Sequence, residues 1–350
     1  MRNLILGLWL ALLPALAAGS RVVIYPEFAE VAYPVEVRGG VYVFSPSERL
    51  AAELVEDLVW LVGPETKKRV WQKKSLWIYA DDGPATLHYL TRGLSGRVRY
   101  TLDLDAGRLV AWLKVKNRLD EVVSADELYF VSGSVPLEGE RPPAPLGRTV
   151  AKMGSPAESG FVGAAGGVFR YRLAGPVELA PEVTELVLFE DAVAPRLVWR
   201  YKGGFVRSDR LSLKRGYAFE VERVPLAAGV VDLFKAGAFI GRVPVADRYL
   251  GEEVFLFLGP AERARSERRV TPLKENAEEK RYRVWTRVKN LGDERARVEI
   301  EEVFAADAVE LELPAGERIP KGYRLTFELP PGGEYAYSYE VVLSFKSRRR

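Results

Sequence analysis

The 350-residue chain has no cysteine, one histidine, one glutamine, four asparagines and two methionines. Without cysteine there is no disulfide framework, no thiolate nucleophile and no Cys-based zinc site, so packing and charge must hold the fold. With His88 as the lone imidazole, His-rich metal sites are excluded. A Ser-His-Asp triad would have to run through that one ring, and no Gly-x-Ser-x-Gly elbow offers the serine. His88 sits between Leu87 and Tyr89 and reads as a strand residue rather than a general base. An excess of one charge is lacking too. Lys and Arg number 51 against 48 Asp and Glu, a net +3, which is not the global field of a dedicated nucleic-acid binder. Scarce Gln, Asn, Met and Cys beside 28% charged residues resemble the composition of heat-adapted proteins, so a thermophilic source is expected.

Long apolar runs are confined to the N-terminus. Met1-Arg2-Asn3 is a short positive start, Leu4 to Leu16 is apolar, and Ala15-Leu16-Ala17 or Ala17-Ala18-Gly19 offers small residues for cleavage. Residues 1–19 therefore read as a signal peptide cut near Ala17 or Gly19. An uncleaved anchor is the weaker reading, because the run falls short of the ~20 residues a span needs and contains Pro14. No cysteine follows to take a lipid. The expected location is outside the cytoplasm, in the periplasm or cell envelope.

What the chain does have is a two-residue period. From Tyr282 to Phe304, Tyr282, Val284, Thr286 and Val288 alternate with Arg283, Trp285, Arg287 and Lys289; after Asn290-Leu291-Gly292-Asp293, Ala296, Val298 and Ile300 alternate with Arg297, Glu299 and Glu301. This predicts an antiparallel hairpin with arginines set against glutamates on its wet face. Similar stretches recur, among them a hairpin at 97–104 and 108–116 closed by Asp105-Ala106-Gly107, and another around Lys235-Ala236-Gly237. The expected fold is all-β: tandem antiparallel β-sandwich modules with a small N-terminal β unit and one short helix. Expected boundaries are 20–84 for the small unit, 85–222 for the first sandwich and 223–346 for the second. The helix should start at the capping run Ser45-Pro46-Ser47-Glu48, carry Leu50, Leu54 and Leu58 on one face, and end near Trp60. Residues 132–167, with eight Gly and five Pro, read as a long irregular excursion, and the basic tail 346–350 as a frayed end.

One internal echo stands out. Trp112 to Glu121 and Trp285 to Glu294 agree at six of ten positions, including the Trp, Val, Lys-Asn and Asp-Glu. A duplicated sandwich module produces this, and so do two independent hairpins with one turn solution.

Lys67-Lys68-Arg69-Val70-Trp71-Gln72-Lys73-Lys74 is the densest basic cluster, with Trp60 and Trp77 close in sequence. Basic residues interleaved with aromatics can track a polyanion and stack on its rings, whereas a polar hairpin puts the same lysines on a solvated face. The candidate binding surface is Lys67, Lys68, Arg69, Trp71, Lys73, Lys74, Trp112 and Trp285. Asp103-Leu104-Asp105 and Asp81-Asp82-Gly83 lack the further carboxylates of a calcium loop and read as turns. Glu301 and Glu302 are adjacent in a strand and point to opposite faces, the wrong arrangement for paired acid and base. No catalytic residue, metal site or cofactor is expected.

Several short motifs carry a resemblance. Tyr89-Leu90-Thr91-Arg92-Gly93-Leu94-Ser95, Val115-Lys116-Asn117, Tyr171-Arg172-Leu173-Ala174-Gly175-Pro176-Val177, Pro225-Leu226-Ala227-Ala228-Gly229 with Phe239-Ile240-Gly241, and the strands after Arg281 are similar to successive motifs of the mucoidy-inhibitor-like family. The likeness covers about residues 86–345, where that family carries a β-rich domain of unknown function, and 21–38 resembles the smaller β domain preceding it. The chain departs from the family in lacking a helical coiled segment between the two and in having Gly96 where an aromatic residue is frequent. The resemblance implies an exported or envelope-linked β protein and supplies no catalytic residues.

The function expected from all this is a non-enzymatic cell-envelope scaffold that binds an envelope protein or polysaccharide. A secreted module for polysaccharide or single-stranded nucleic acid is the alternative, with nucleic acid the less favoured ligand. N-terminal sequencing of the protein recovered outside the cytoplasm should start at Ala18 or Ser20; a retained Met1 there would identify an anchor instead.

Overall fold

The computed structural model describes residues 19–133, 160–165, 168–313 and 315–345. The leader, the middle of the Gly/Pro-rich excursion and the tail expected to fray lie outside the described residues. Within them the chain is all-β. In order it forms β1 (Arg21–Ile24), β2 (Ala29–Val37), β3 (Val41–Phe44), helix α1 (Glu48–Glu53), β4 (Leu54–Val62), β5 (Thr66–Gln72), β6 (Ser75–Ala80), β7 (Gly83–Thr91), β8 (Leu94–Asp103), β9 (Arg108–Asn117), β10 (Val123–Ala125), β11 (Glu127–Val131), β12 (Gly160–Ala165) and β13 (Val168–Leu173). There follow β14 (Val177–Leu179), β15 (Glu182–Ala192), β16 (Arg196–Gly204), β17 (Lys214–Glu220), β18 (Gly229–Lys235), β19 (Ala238–Val245), β20 (Glu253–Pro260), β21 (Ala264–Glu275), β22 (Glu279–Asn290), β23 (Ala296–Val303), β24 (Ala308–Glu312), β25 (Glu317–Ile319), β26 (Gly322–Leu329) and β27 (Glu334–Ser344).

Contacts group these strands into two compact units, 1–102 with 108–191 and 223–232, and 103–107 with 192–222 and 233–350. This grouping cuts differently from boundaries at 84/85 and 222/223. Strand β1 pairs in parallel with β11 and antiparallel with β2, so strands β1, β2, β4 and β7 share one seven-stranded sheet with β11, β12 and β13, in the order β12-β13-β11-β1-β2-β7-β4. The first unit also holds the three-stranded sheet β3-β6-β5, the pair β10-β14, and β15-β9-β8 with the start of β18. Its segment 223–232 is tied in by side chains: the Tyr100 hydroxyl donates to Ala227 O at 2.8 Å and that of Tyr171 to Pro225 O at 2.9 Å. Gly96 sits where no side chain fits. A Cβ there would lie 2.5 Å from Ile24 Cγ2, and its N–H donates to Tyr25 O at 2.9 Å.

The second unit contains a six-stranded sheet, β20-β17-β16-β23-β26-β25, and a four-stranded one, β21-β22-β27-β24. Tyr282, Val284 and Val288 from the smaller sheet and Trp199, Val298 and Ile300 from the larger belong to one buried cluster, the core of a sandwich. This overturns the expected hairpin at 282–304. The faces were assigned correctly, but β22 and β23 belong to different sheets, and the turn at 291–295 carries the chain from one to the other. The charges therefore find partners elsewhere. Arg281 and Arg283 both bind Glu340 on β27, Arg287 binds Glu267 on β21, and Glu299 and Glu301 bind Arg200, Lys202 and Arg324.

A buried asparagine makes that arch. Asn290 is fully buried, its Nδ2 donates to Glu294 O at 2.7 Å and Leu329 O at 3.1 Å, and its Oδ1 accepts from Gly292 N at 2.8 Å. Asn117 does the same in the first unit: Nδ2 donates to Glu121 O and Leu179 O at 2.9 Å each, and Oδ1 accepts from Leu119 N at 2.9 Å. In both cases one amide closes its own turn and bolts it to the last carbonyl of a strand in another sheet. The strand arrangement repeats with it. Strands β8, β9 and β15 are neighbours in the same order as β21, β22 and β27, and antiparallel β10–β14 stands where β23–β26 does. The echo between 112–121 and 285–294 thus marks one architecture built twice.

Two further expectations change. The helix is only Glu48–Glu53, capped by Ser47, whose Oγ accepts from Leu50 N at 3.2 Å. From Leu54 onward the chain is strand β4, paired with β7 through a register shift between Leu54 and Val59. Val55, Val59, Trp60 and Val62 favour the pleated surface, and pairing with β7 outweighs the Leu50/Leu54/Leu58 spacing. The excursion is also not irregular throughout, since β12 pairs with β13 over 160–165 with a bulge between Phe161 and Gly163.

Inside the second sandwich lies a charge pair with both side chains at 0% exposure. Arg268 Nη2 donates to Glu302 Oε1 at 2.8 Å and to the Tyr339 hydroxyl at 3.1 Å, while Glu302 Oε2 accepts from the hydroxyls of Tyr339 at 2.6 Å and Tyr323 at 3.2 Å. Burial pushes the ionisation of Tyr323 and Tyr339 well up from 10, so they donate as neutral phenols.

Two stability predictions follow from these geometries. Asn290→Ala leaves two carbonyls and an N–H without their partner and should cost about 2–4 kcal/mol in urea unfolding, with Asn117→Ala acting alike in its own unit. Glu302→Ala strands the Arg268 charge and should cost about 3–5 kcal/mol, whereas the joint change Arg268→Met/Glu302→Leu should recover most of that loss.

Candidate functional site

The basic cluster folds as strand β5, the two-residue turn Lys73-Lys74 and the start of β6. Gln72 pairs with Ser75 across the turn, and Lys73 takes a φ of +56°, the left-handed conformation a two-residue turn demands. On β6, Leu76, Ile78 and Ala80 are buried and alternate with half-buried Ser75, Trp77 and Tyr79. Directly opposite residues of an antiparallel pair share a face. Trp71 opposes Leu76 and Arg69 opposes Ile78, so both lie on the inner face of the three-stranded sheet, while Lys68, Val70 and Gln72 lie on the outer one.

Beneath that inner face, α1 and β4 leave a recess of about 500 Å³. Its floor is apolar, formed by Ala51, Ala52, Leu54, Val55 and Val59, and Trp71, Lys73, Lys74 and Glu48 form the rim. Leu50 is buried and anchors the helix, which turns Ala51 and Ala52 to the recess side. Arg69 fixes the hairpin above β4 by donating from Nη1 to Val59 O at 2.9 Å. Trp71 remains 46% exposed, a large aromatic ring over an apolar floor on a hairpin otherwise covered with charge. Strand β5 is moreover the end strand of its sheet, with β6 as its one neighbour among the described residues.

The cations divide into two sets. Lys67 is paired with Asp81 and Lys74 with Glu48. The hydrogen bond from Lys74 holds the Glu48 carboxyl below its ordinary range, and the one to Asp81 raises Lys67. Lys68 Nζ lies 5.8 Å from the Tyr79 ring centroid, without an ion pair among the described residues, and Lys73 has none either. A ligand at the recess therefore meets Lys73 as an uncompensated charge, whereas Lys68 stands without an ion pair on the opposite face of the sheet.

The other singled-out residues are not part of this arrangement. Trp112 is half-buried on β9 and donates from Nε1 to Thr101 Oγ1 at 3.3 Å. Trp285, in the second unit, is half-buried between the guanidinium groups of Arg269 and Arg287 at 5.4 and 5.7 Å from its ring. Neither is the exposed platform its strand position suggested. His88 lies on β7 between Ala32 and Trp60, stacks on Trp60 at 5.0 Å, and has Nδ1 2.9 Å from Glu30 Oε1. Asp103 closes its own turn through the N–H groups of Asp105 and Ala106, and Asp82 accepts from Gly40 N at 2.6 Å. Among the described residues no three His, Asp or Glu side chains gather to hold a metal ion.

Sequence reasoning found Trp71, Lys73 and Lys74 but missed the floor they overlook, because 48–59 was read as one continuous helix. The run of β-branched residues after Leu54 was the available signal. No family model matches the chain, and no curated protein matches it. No helix among the described residues is long and apolar enough to cross a membrane.

Proposed function

We propose that the protein is an exported, non-enzymatic scaffold of the cell envelope that docks a partner protein at the recess beneath Trp71. The observation that carries this reading is the exposed Trp71 ring above an apolar floor, on an end strand that also carries Lys68 and Arg69. Large aromatic residues beside an apolar pocket are the usual anchors of a protein interface, and a polar rim of lysines sets its orientation. The leader-like N-terminus and the resemblance to the mucoidy-inhibitor-like family agree with an envelope setting.

A polysaccharide ligand is the second reading, favoured by the same Trp71 ring, which offers a flat apolar face to a sugar. Single-stranded nucleic acid is less well served. Lys67 and Lys74 are already neutralised by Asp81 and Glu48, Arg69 is committed to Val59, and Trp112 and Trp285 are engaged with other groups.

Absence of cysteine makes a clean test available. A Lys73→Cys variant, labelled with a benzophenone maleimide and expressed in its envelope setting, should cross-link to a discrete protein, and the adduct should persist in high salt. Adding Trp71→Ala should weaken capture by on the order of tenfold or more. A Trp71-dependent polysaccharide adduct would replace the protein reading with the second one, and no Trp71-dependent adduct of either kind would overturn the site.

A further inference from the structure

Resting on the docking reading above, we infer that the partner supplies an extended segment that adds to β5 as a fourth strand, alternating apolar residues facing inward with acidic residues facing outward. Among the described residues strand β5 has a neighbour on one side alone, so the backbone N–H and C=O groups of alternate residues over 66–72 point to an edge without a strand partner. The recess lies under the inner face of that same strand, bounded by α1 and β4. A strand laid along β5 would continue the sheet β3-β6-β5. Its inward side chains would fall beside Trp71 and Arg69 and over Ala51, Ala52 and Val55. Its outward side chains would stand beside Lys68, Val70 and Gln72, which share the outer face.

Charge selects the occupant. Lys68, on the outer face, and Lys73, at the turn, have no ion pair, so carboxylates at the outward positions of an added strand would meet uncompensated ammonium groups. The same charges exclude the simplest rival. Two copies of this chain pairing β5 to β5 would bring Lys68, Arg69 and Lys73 of one edge against those of the other, and like charges across a ladder repel. The edge thus rejects itself and favours an acidic strand. Main-chain bonds provide the register, and the recess under Trp71 provides the choice of side chain.

Labelled seven-residue peptides and the full-length protein test this by fluorescence anisotropy. A peptide alternating leucine and aspartate should bind. Lysine in place of aspartate should weaken it at least roughly tenfold, and N-methylation of alternate backbone amides, which removes edge pairing while leaving side chains intact, should do the same. Trp71→Ala should weaken the parent peptide, and Lys68→Glu/Lys73→Glu should invert the preference between the aspartate and lysine versions. Equal binding of the N-methylated peptide would overturn strand addition while leaving a Trp71-dependent cross-link, and hence the docking reading, intact. No binding of the aspartate peptide, or concentration-dependent self-association through β5, would overturn the acidic-strand assignment itself.

Discussion

Two buried asparagines decide how this chain closes. Asn117 and Asn290 each spend one carboxamide on a turn and on the final carbonyl of a strand in another sheet, so the chain arches across a sandwich instead of folding back as a ribbon. Asparagine is scarce, with three after the leader. The third, Asn276, also accepts two turn amides, from Glu278 and Glu279. A residue prone to chemical loss is kept where a side chain must donate twice and accept once in a confined, water-excluded place, a combination that neither carboxylate nor hydroxyl provides. Every pairing that follows β9 and β22 depends on where those arches send the chain.

The consequences divide by depth. Inside, the alternating faces pack mostly aliphatic and aromatic side chains, and among the buried polar groups Arg268 and Glu302 form an ion pair with both side chains fully covered, hydrogen-bonded to neutral tyrosine hydroxyls. At the surface, the outer faces of β22, β23, β26 and β27 carry arginine–glutamate pairs across strands, each small in isolation but networked around Glu340, Glu299 and Glu301. Against this saturated background the β5 edge differs. It has aromatic surface without cover and cations without ion pairs, on a strand that among the described residues has one free side.

Much of this was legible in the residues, and the misreadings have physical causes. Period-two alternation told which side chains are buried, because that is a local property of the pleat. It could not tell which strand is the neighbour, and a five-residue connection at 291–295 suits a hairpin or an arch equally. What separates them is the bond from Asn290 to Leu329, 39 residues on, which no local pattern encodes. Glu302 falls on the inward parity after Ile300, so its burial was there to be read, but its partner Arg268 lies on another sheet. The Trp71 recess was half legible. The hairpin with its lysines was found from composition, while its floor was hidden by a leucine spacing that imitates a helix over 50–58 although the chain turns to strand at Leu54.

If the sandwich arches are the rigid frame and the β5 edge is where a partner strand adds, hydrogen exchange with the aspartate–leucine peptide present and absent separates the two directly. Amides of 66–72 and of 51–55 should slow markedly on binding, while those at the Asn117 and Asn290 arches stay as protected as before. Unchanged exchange along β5, with slowing confined to other strands, would contradict the account.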